Sequence, residues 1–377
     1  MKILFALDKY GVNSGGADRY ARAVVRTLLA AGHEVFVLQG GNPAPEERDG
    51  VRVLSRPLPR PRFFRDGDRT MLRWNRLWSP YVERELAALR PDLLLSQNML
   101  APSSVAAGRA AGVRTAIFFH GYRCLSPAFF REQDALTTPL PSFRTAPLRA
   151  RLKWPLVARS LALYQSAYRK ADLVVANSAY TARVIERFFE RRAEVLYPVF
   201  DLAAPETAPK TNPGGPVLFV KPQSIKGVDV LLKTAPLLPQ KRFLAVGRAS
   251  VLTRLQLARV ANIEYREWTE DMDASYASAS LLFGPSQIPE PFGRVFVEAA
   301  IHGLPSVASA GGGIPEAVGE GGVLLPFDSM PGEWAEALEQ ALDPLRYEAL
   351  SQAAFRHSHE LLKIHTPARL LGILGAA

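Results

Sequence analysis

The strongest constraint in this chain is a rhythm. Short, uninterrupted apolar runs alternate with stretches whose apolar residues recur every three to four positions. "KILFAL", residues 2–7, is such a run, as expected of a strand buried on both faces. After the loop "DKYGVNSGG" comes a stripe, Ala17, Tyr20, Ala21, Val24, Val25, Leu28 and Leu29, which stops at Gly32. That spacing predicts one helix with a C-terminal glycine. "EVFVLQ", "DLLLS" (92–96), "TAIFFH" (115–120) and "DLVVANS" (172–178) continue the strand series. "PVLFV" (216–220), "RFLAVG" (242–247), "SLLFGPS" (280–286), "PSVASA" (305–310) and "GVLLP" (322–326) restart it. Alternation of this kind builds parallel sheets covered by helices on both faces, so the fold class is α/β. Residues 201–216, "DLAAPETAPKTNPGGP", are rich in Pro and Gly with little to bury and read as a linker. The expected division is a first α/β domain over 1–200, the linker, and a second over 217–360. A terminal helix over 361–377 is placed to cross back to the first domain. Two such domains in tandem put a deep ligand cleft where the carboxyl ends of their strands face each other.

Several classes are set aside by composition. At 377 residues the chain suits roughly two domains. No window approaches the ~18 apolar residues of a membrane span, and the run before Asp8 is too short for a secretory signal. A single cysteine, Cys124, rules out a disulfide framework and a cysteine zinc site, which suits a reducing cytosol. His357 and His359 form an HxH that reads as solvated rather than metal-bound. The charge is lopsided: residues 1–200 hold 31 Lys/Arg against 17 Asp/Glu, a net of +14, and residues 201–377 hold 15 against 19, a net of −4. A field of that sign favours an acidic partner, and an Arg-rich composition from a GC-rich genome accounts for it equally. Two segments of the basic half interleave arginine with aromatics. Residues 56–80 carry seven arginines with Phe63, Phe64, Trp74 and Trp78, and residues 139–159 carry Arg144, Arg149, Arg151, Lys153, Arg159 and Trp154. Such segments suit an anionic membrane surface or chain, and equally a solvated insert with aromatics turned inward.

The chemistry concentrates in "EPFGRVFVE", Glu290 to Glu298. Pro291 and Gly293 put Glu290 in a loop, with a helix starting near Arg294 and capped at Gly303. The first amides of that helix, near Gly293, Arg294 and Val295, lack intrahelical acceptors and form an anion site at the positive end of its dipole. Glu290 stands at its mouth and Glu298 one turn inside. Carboxylates so placed can accept from vicinal hydroxyls, so the stretch reads as a holder for a phosphate flanked by sugars.

Residues 290–326, "EPFGRVFVEAAIHGLPSVASAGGGIPEAVGEGGVLLP", closely resemble the nucleotide-sugar-binding signature of retaining glycosyltransferases of family 4, with its E-x7-E element. "GGADRYARAVVRTLLAAGHEV", "FFHG", "VVANSAYTARVI" and "IKGVDVLLKTAPLLP" resemble further elements of that family, in its order. The resemblance implies two Rossmann-like domains in the GT-B arrangement. It implies that Glu298 binds the ribose diol of the donor nucleotide and Glu290 the hydroxyls of the transferred sugar. The amides of Phe292, Gly293, Arg294 and Val295 would lie near sugar and phosphates. Lys226 and Lys221 would neutralise the diphosphate, Gly15 and Gly16 would offer it backbone N–H groups, and His120 would face the donor sugar. Catalysis would rest on His120, Lys226 and Glu290.

Three positions depart from the family pattern. Val220-Lys221 stands where Gly-Arg is usual, Ala310 where Asp precedes the glycines, and Arg294 where many members are apolar. Gly311 to Gly313 read as a flexible turn. The expected activity is transfer of a hexose-type sugar from a nucleotide-diphosphate donor, UDP or GDP, with retention and without metal or other cofactor. The expected acceptor is an envelope glycan, a lipid-linked sugar or another acidic molecule, and the expected place the cytoplasm, with peripheral contact at the inner membrane surface. A soluble natural-product acceptor, a glycoside hydrolase and a nucleotide-sugar epimerase are the alternatives. No recognition helix, zinc finger or RNP motif supports a nucleic-acid partner, and "GVNSGGA" does not fit the GxGxxG of dehydrogenases.

Overall fold

The computed structural model describes residues 1–11, 16–40, 46–59, 67–121, 135–137, 140–207, 209, 211–269 and 272–377. The chain forms two compact units, residues 1–201 with 365–377, and residues 202–364.

The first unit runs β1 (Lys2–Leu7), α1 (Gly16–Ala30), β2 (Glu34–Gln39), β3 (Glu46–Arg48), β4 (Val51–Ser55), α2 (Gly67–Leu89), β5 (Leu93–Gln97), α3 (Ala101–Ala110), β6 (Arg114–Phe119), α4 (Leu148–Arg151), α5 (Trp154–Lys170), β7 (Leu173–Ala176), α6 (Ala179–Phe189) and β8 (Glu194–Val195). Its sheet has the order β3-β4-β2-β1-β5-β6-β7-β8, parallel except for the β3–β4 pair. β1 is apolar throughout because both its faces are covered: Ile3, Phe5 and Leu7 pack under Tyr20, Val24 and Leu28 of α1, and Leu4 and Ala6 pack under Trp78 and Val82 of α2. α1 ends where Gly32 takes a positive φ of 80°. The Ser178–Thr181 capping box opens α6. Trp78, singled out in the basic segment, is core, its indole N–H donating to the Ser104 hydroxyl at 3.2 Å. Phe63, Phe64 and Arg60, Arg62 and Arg65 lie outside the described residues.

The second unit runs β9 (Val217–Val220), α7 (Val228–Thr234), β10 (Phe243–Val246), α8 (Val251–Leu257), β11 (Ile263–Arg266), α9 (Asp273–Ser278), β12 (Leu281–Gly284), α10 (Arg294–Ile301), β13 (Ser306–Ser309), α11 (Ile314–Val318), β14 (Gly322–Leu325), α12 (Pro331–Ala341) and α13 (Pro344–Ile364). Its six strands are all parallel in the order β11-β10-β9-β12-β13-β14. Val217, Phe219, Phe283 and Trp334 centre its core. The HxH histidines are not merely solvated: a ring nitrogen of His357 lies 2.9 Å from the Glu316 carbonyl, and His359 lies 3.0 Å from the carbonyls of both Phe355 and Pro205.

α14 (Pro367–Leu374) returns to the first unit and buries Leu370 and Leu374 in the α1 face of its core. Arg114 donates to the Leu374 carbonyl at 2.7 Å, which fixes the end of this helix. Among the described residues no helix is long and apolar enough to cross a membrane.

Candidate functional site

The strand order of the second unit reverses between β9 and β12. Chains leaving the carboxyl ends of those strands diverge, which opens a crevice at that point. Two loops meet there. Gly227, at φ 84°, ends the first, and a Cβ on it would lie 1.9 Å from the carbonyl oxygen of Pro285 in the second. The Gln287 N–H donates to the Ile225 carbonyl at 3.0 Å, and the Ser309 hydroxyl to the Ser286 carbonyl at 2.7 Å. This clasp brings together Lys226 and Glu290, 64 residues apart, with Nζ 2.6 Å from Oε2.

Glu290 is buried. Burial by itself would raise its carboxyl pKa. The Lys226 charge and hydrogen bond, the Ser286 hydroxyl and the Lys221 charge outweigh that and hold it below the ordinary range. Its backbone is gripped as firmly. The Gly313 N–H donates to the Glu290 carbonyl at 2.7 Å, and a Cβ on Gly312 (φ 67°) would fall 2.2 Å from that oxygen. The reading of Gly311–Gly313 as a flexible turn is therefore corrected: it is a packed turn whose missing side chains let two backbones touch. Lys221 sits at a positive φ of 62° just past β9, its N–H held by the Val246 carbonyl.

α10 begins after Gly293, whose φ of 105° turns the chain into the helix. Phe292 is buried, so its side chain anchors the loop. Glu298 accepts from the Arg294 Nε at 2.8 Å and from the Tyr276 hydroxyl at 3.0 Å. Arg294 is thus half-buried and bound to Glu298. Each glutamate of the E-x7-E element is paired with a cation from its own surroundings. Sequence reasoning missed Tyr276 and Ser286. Tyr276 gives no local signal, whereas Ser286 directly follows a strand in "FGPS".

Lys221, Lys226, Glu290, Phe292, Gly293, Arg294, Val295 and Glu298 therefore lie in the second unit, on the loops after β9 and β12 and the start of α10. His120 and Gly16 belong to the first unit, and Gly15 lies outside the described residues. A Cβ on Gly16 would meet no atom within 4 Å, so packing does not require glycine there. His120 follows β6 with its ring 4.5 Å from the Tyr20 ring, and burial lowers its pKa to about 3. Its Nε2, the Tyr20 hydroxyl and both amide atoms of Gln97 are buried without a hydrogen-bond partner among the described residues. Gln97 ends β5 beside the reversal point of the first sheet, and alternation puts it on the α1 face with Phe118 and His120. Leaving such groups dry costs about 1–3 kcal/mol each. The sequence signal for Gln97 was a polar residue closing an apolar run.

Two histidines set a pH response in the first unit. His365 stacks on Tyr197 at 4.0 Å, and its Nδ1 accepts from the Tyr197 N–H at 3.1 Å. Burial, then the Arg369 charge, lower its pKa to about 4. An unfolded histidine takes its proton near pH ~6.5, whereas these two stay neutral in the fold. The unfolded chain therefore binds more protons between about pH 6.5 and 4, and stability must rise with pH across that window and level off above it. Urea midpoints measured from pH 4.5 to 7.5 should show this slope. His365→Asn, which keeps an acceptor near the place of Nδ1, should remove up to ~1.4 kcal/mol per pH unit of it. An unchanged slope would show that His365 is not held neutral.

Comparison with known proteins gives the family and the fold. A model of Glycosyltransferase Family 4 matches residues 14–204, and one described as Glycosyl transferases group 1 matches residues 217–344. D-inositol 3-phosphate glycosyltransferase of Mycolicibacterium smegmatis is 31% identical over 236 residues, 55% of this chain and 53% of its own. The chain thus spans about half the length of the curated relatives it matches. Among solved structures, Anabaena HepE in complex with UDP-glucose superposes with a TM-score of 0.70 at 19% identity, over 100% of this chain and 98% of that one. WaaG, a glycosyltransferase involved in lipopolysaccharide biosynthesis, gives 0.71 at 17% identity over 100% of both chains. At these identities the likeness shows the fold, two parallel-sheet α/β domains of GT-B type. With one model matching just over half of the sequence and the second continuing it, the chain belongs to glycosyltransferase family 4.

Proposed function

We propose that this protein transfers a hexose-type sugar from a nucleotide-diphosphate donor to an acceptor hydroxyl, with retention and without a metal. The observation that carries the reading is the pair of glutamates at the reversal point of the second sheet, each held by a cation beside the start of α10. Glu298, oriented by Arg294 and Tyr276, is a carboxylate of the kind that accepts from a ribose diol. Lys226 spends one of its three N–H groups on Glu290 and can turn the others to phosphate oxygens. With Lys221 and the amides of Gly293 to Val295 it supplies positive charge where a diphosphate departs. The family resemblance gives Gly15 and Gly16 the role of amide donors to a diphosphate. The bond from the sugar's anomeric carbon to the leaving phosphate breaks, the bond to the acceptor oxygen forms on the same face, and the acceptor proton passes to the leaving phosphate. Glu290, held ionised, orients sugar hydroxyls rather than attacking. His120, kept uncharged by burial and in ring contact with Tyr20, is suited to hydrogen-bond a hydroxyl group.

The structural neighbour solved with UDP-glucose supports a UDP donor; GDP is the alternative the titration below separates. The net +14 of residues 1–200 and the phosphorylated polyol in the relatives' name support an anionic acceptor. Peripheral contact of the basic half with an anionic membrane is part of this proposal.

Calorimetric titration with UDP, GDP and ADP in EDTA tests the donor site. One nucleotide should bind without metal, and Glu298→Gln should weaken it about 10- to 100-fold, the worth of hydrogen bonds to a charged group. Binding that appears only with added metal would overturn metal independence. Binding unaffected by Glu298→Gln would overturn the ribose clamp.

A further inference from the structure

α4 and its flanks form a small projection with an apolar nucleus of its own. Ala146, Ala150 and Val157 are buried in it, with Trp154 and Leu161 packed against them. Its shape is tied from within. Arg151 donates to the Ala146 carbonyl at 2.8 Å and the Arg144 carbonyl at 2.6 Å, and the Thr145 hydroxyl donates to the Leu140 carbonyl at 2.9 Å. Yet this tied structure holds four large apolar side chains in water. Leu140 is 49% exposed, Phe143 54%, Leu148 72% and Leu152 78%. Leu148 and Leu152 are four residues apart, so they project from one side of a helical turn.

Single exposed leucines are ordinary, but four within thirteen residues, on a motif that spends hydrogen bonds keeping its shape, form a patch that marks an interaction site. Along the chain its charge is of one sign. Between Asp134 and Asp172 the sequence has seven Lys/Arg and no Asp/Glu. Arg144, Arg151, Lys153 and Arg159 are exposed within the projection. Exposed apolar side chains and exposed cations on one segment match the boundary between headgroups and acyl chains in an anionic bilayer, where both kinds of group gain together. A second copy of this chain is the weaker fit, because it would set two like-charged patches face to face.

We propose that the projection over residues 140–159 seats this protein on an anionic phospholipid surface, with Leu148, Leu152 and Phe143 entering the interface and the cations facing lipid phosphates. The proposal localises the peripheral membrane contact named above and rests on it, but not on the donor chemistry.

The test is flotation of the full-length protein with vesicles of phosphatidylcholine alone and of equal parts phosphatidylcholine and phosphatidylglycerol. It is repeated with the double variant Leu148→Ser/Leu152→Ser. Both side chains are exposed, so the variant should keep its circular dichroism and nucleotide affinity. The expected result is binding to the anionic vesicles only, weakened about 10-fold or more by the double substitution. If the variant floats as well as the parent, the membrane contact stands and the projection is not its seat. If the parent ignores lipid charge at low salt, contact and projection both fall. Loss of a dimer in sedimentation, with lipid binding intact, would assign the patch to self-association and overturn the proposal.

Discussion

Replacing Lys226 with methionine is expected to cost about 3 kcal/mol of stability in the second unit and to slow donor turnover sharply. Glu290 is buried, and its ionised form depends on the Nζ 2.6 Å away. Removing one partner of such a pair leaves a desolvated charge, worth about 3–5 kcal/mol when both are fully buried. The lower end applies because a quarter of the Lys226 side chain meets water. The sign of the pH response changes too. In the parent the Glu290 carboxyl lies below its ordinary value, so its contribution is present at neutral pH and lost only as pH falls through that lowered value. In Lys226→Met burial, already the largest single influence, is no longer outweighed and raises the pKa, so stability is lost as pH rises through the raised value. The gap between parent and variant should therefore widen from pH 5 to pH 7.5 in urea unfolding, and Glu290→Gln added to Lys226→Met should close most of it. A constant gap would mean that Glu290 is not the group left stranded. Turnover should fall about 100- to 1000-fold, the scale on which one preorganised electrostatic contact acts.

Gly227→Ala is expected to be the most damaging single methyl in the second unit. The residue sits at φ 84°, which costs an L side chain about 1–2 kcal/mol. The added carbon would also lie 1.9 Å from one backbone atom of Pro285 and 2.8 Å from another. Backbone cannot rotate away as a flexible side chain can, so the loops after β9 and β12 must part. A loss of about 3 kcal/mol or more should follow, with weaker nucleotide binding as Lys226 and Glu290 separate. Gly372→Ala, inside α14 with open space around its Cβ, is the control. It should stabilise by about 0.5–1 kcal/mol through helix propensity. A Gly227→Ala protein as stable as the parent would mean that the two loops are not in contact.

The sequence by itself determined most local elements where burial leaves an unbroken apolar run, but not β4, whose buried Val51, Val53 and Leu54 are interrupted by the exposed Arg52. Strands covered on both faces read as unbroken apolar runs, so β1, β2, β5, β6, β7, β9, β10, β12, β13 and β14 were legible within a residue or two. Elements with little to bury were not: β3, β8 and β11, where exposed charges such as Glu264 and Arg266 break the run. The start of α10 was legible because Pro291 and Gly293 are local stop signs, and with it the spacing of Glu290 and Glu298. What those residues touch was decided only by the tertiary structure. Strand order is a property of pairing across the sheet, so nothing near Lys226 says that β12 lies beside β9 and carries Glu290 to it. Tyr276 reaches Glu298 from another helix, and Gly312 is glycine because the Glu290 backbone passes against it. Patterns of period two and three to four record which face of a residue is buried; they do not record which distant residue buries it.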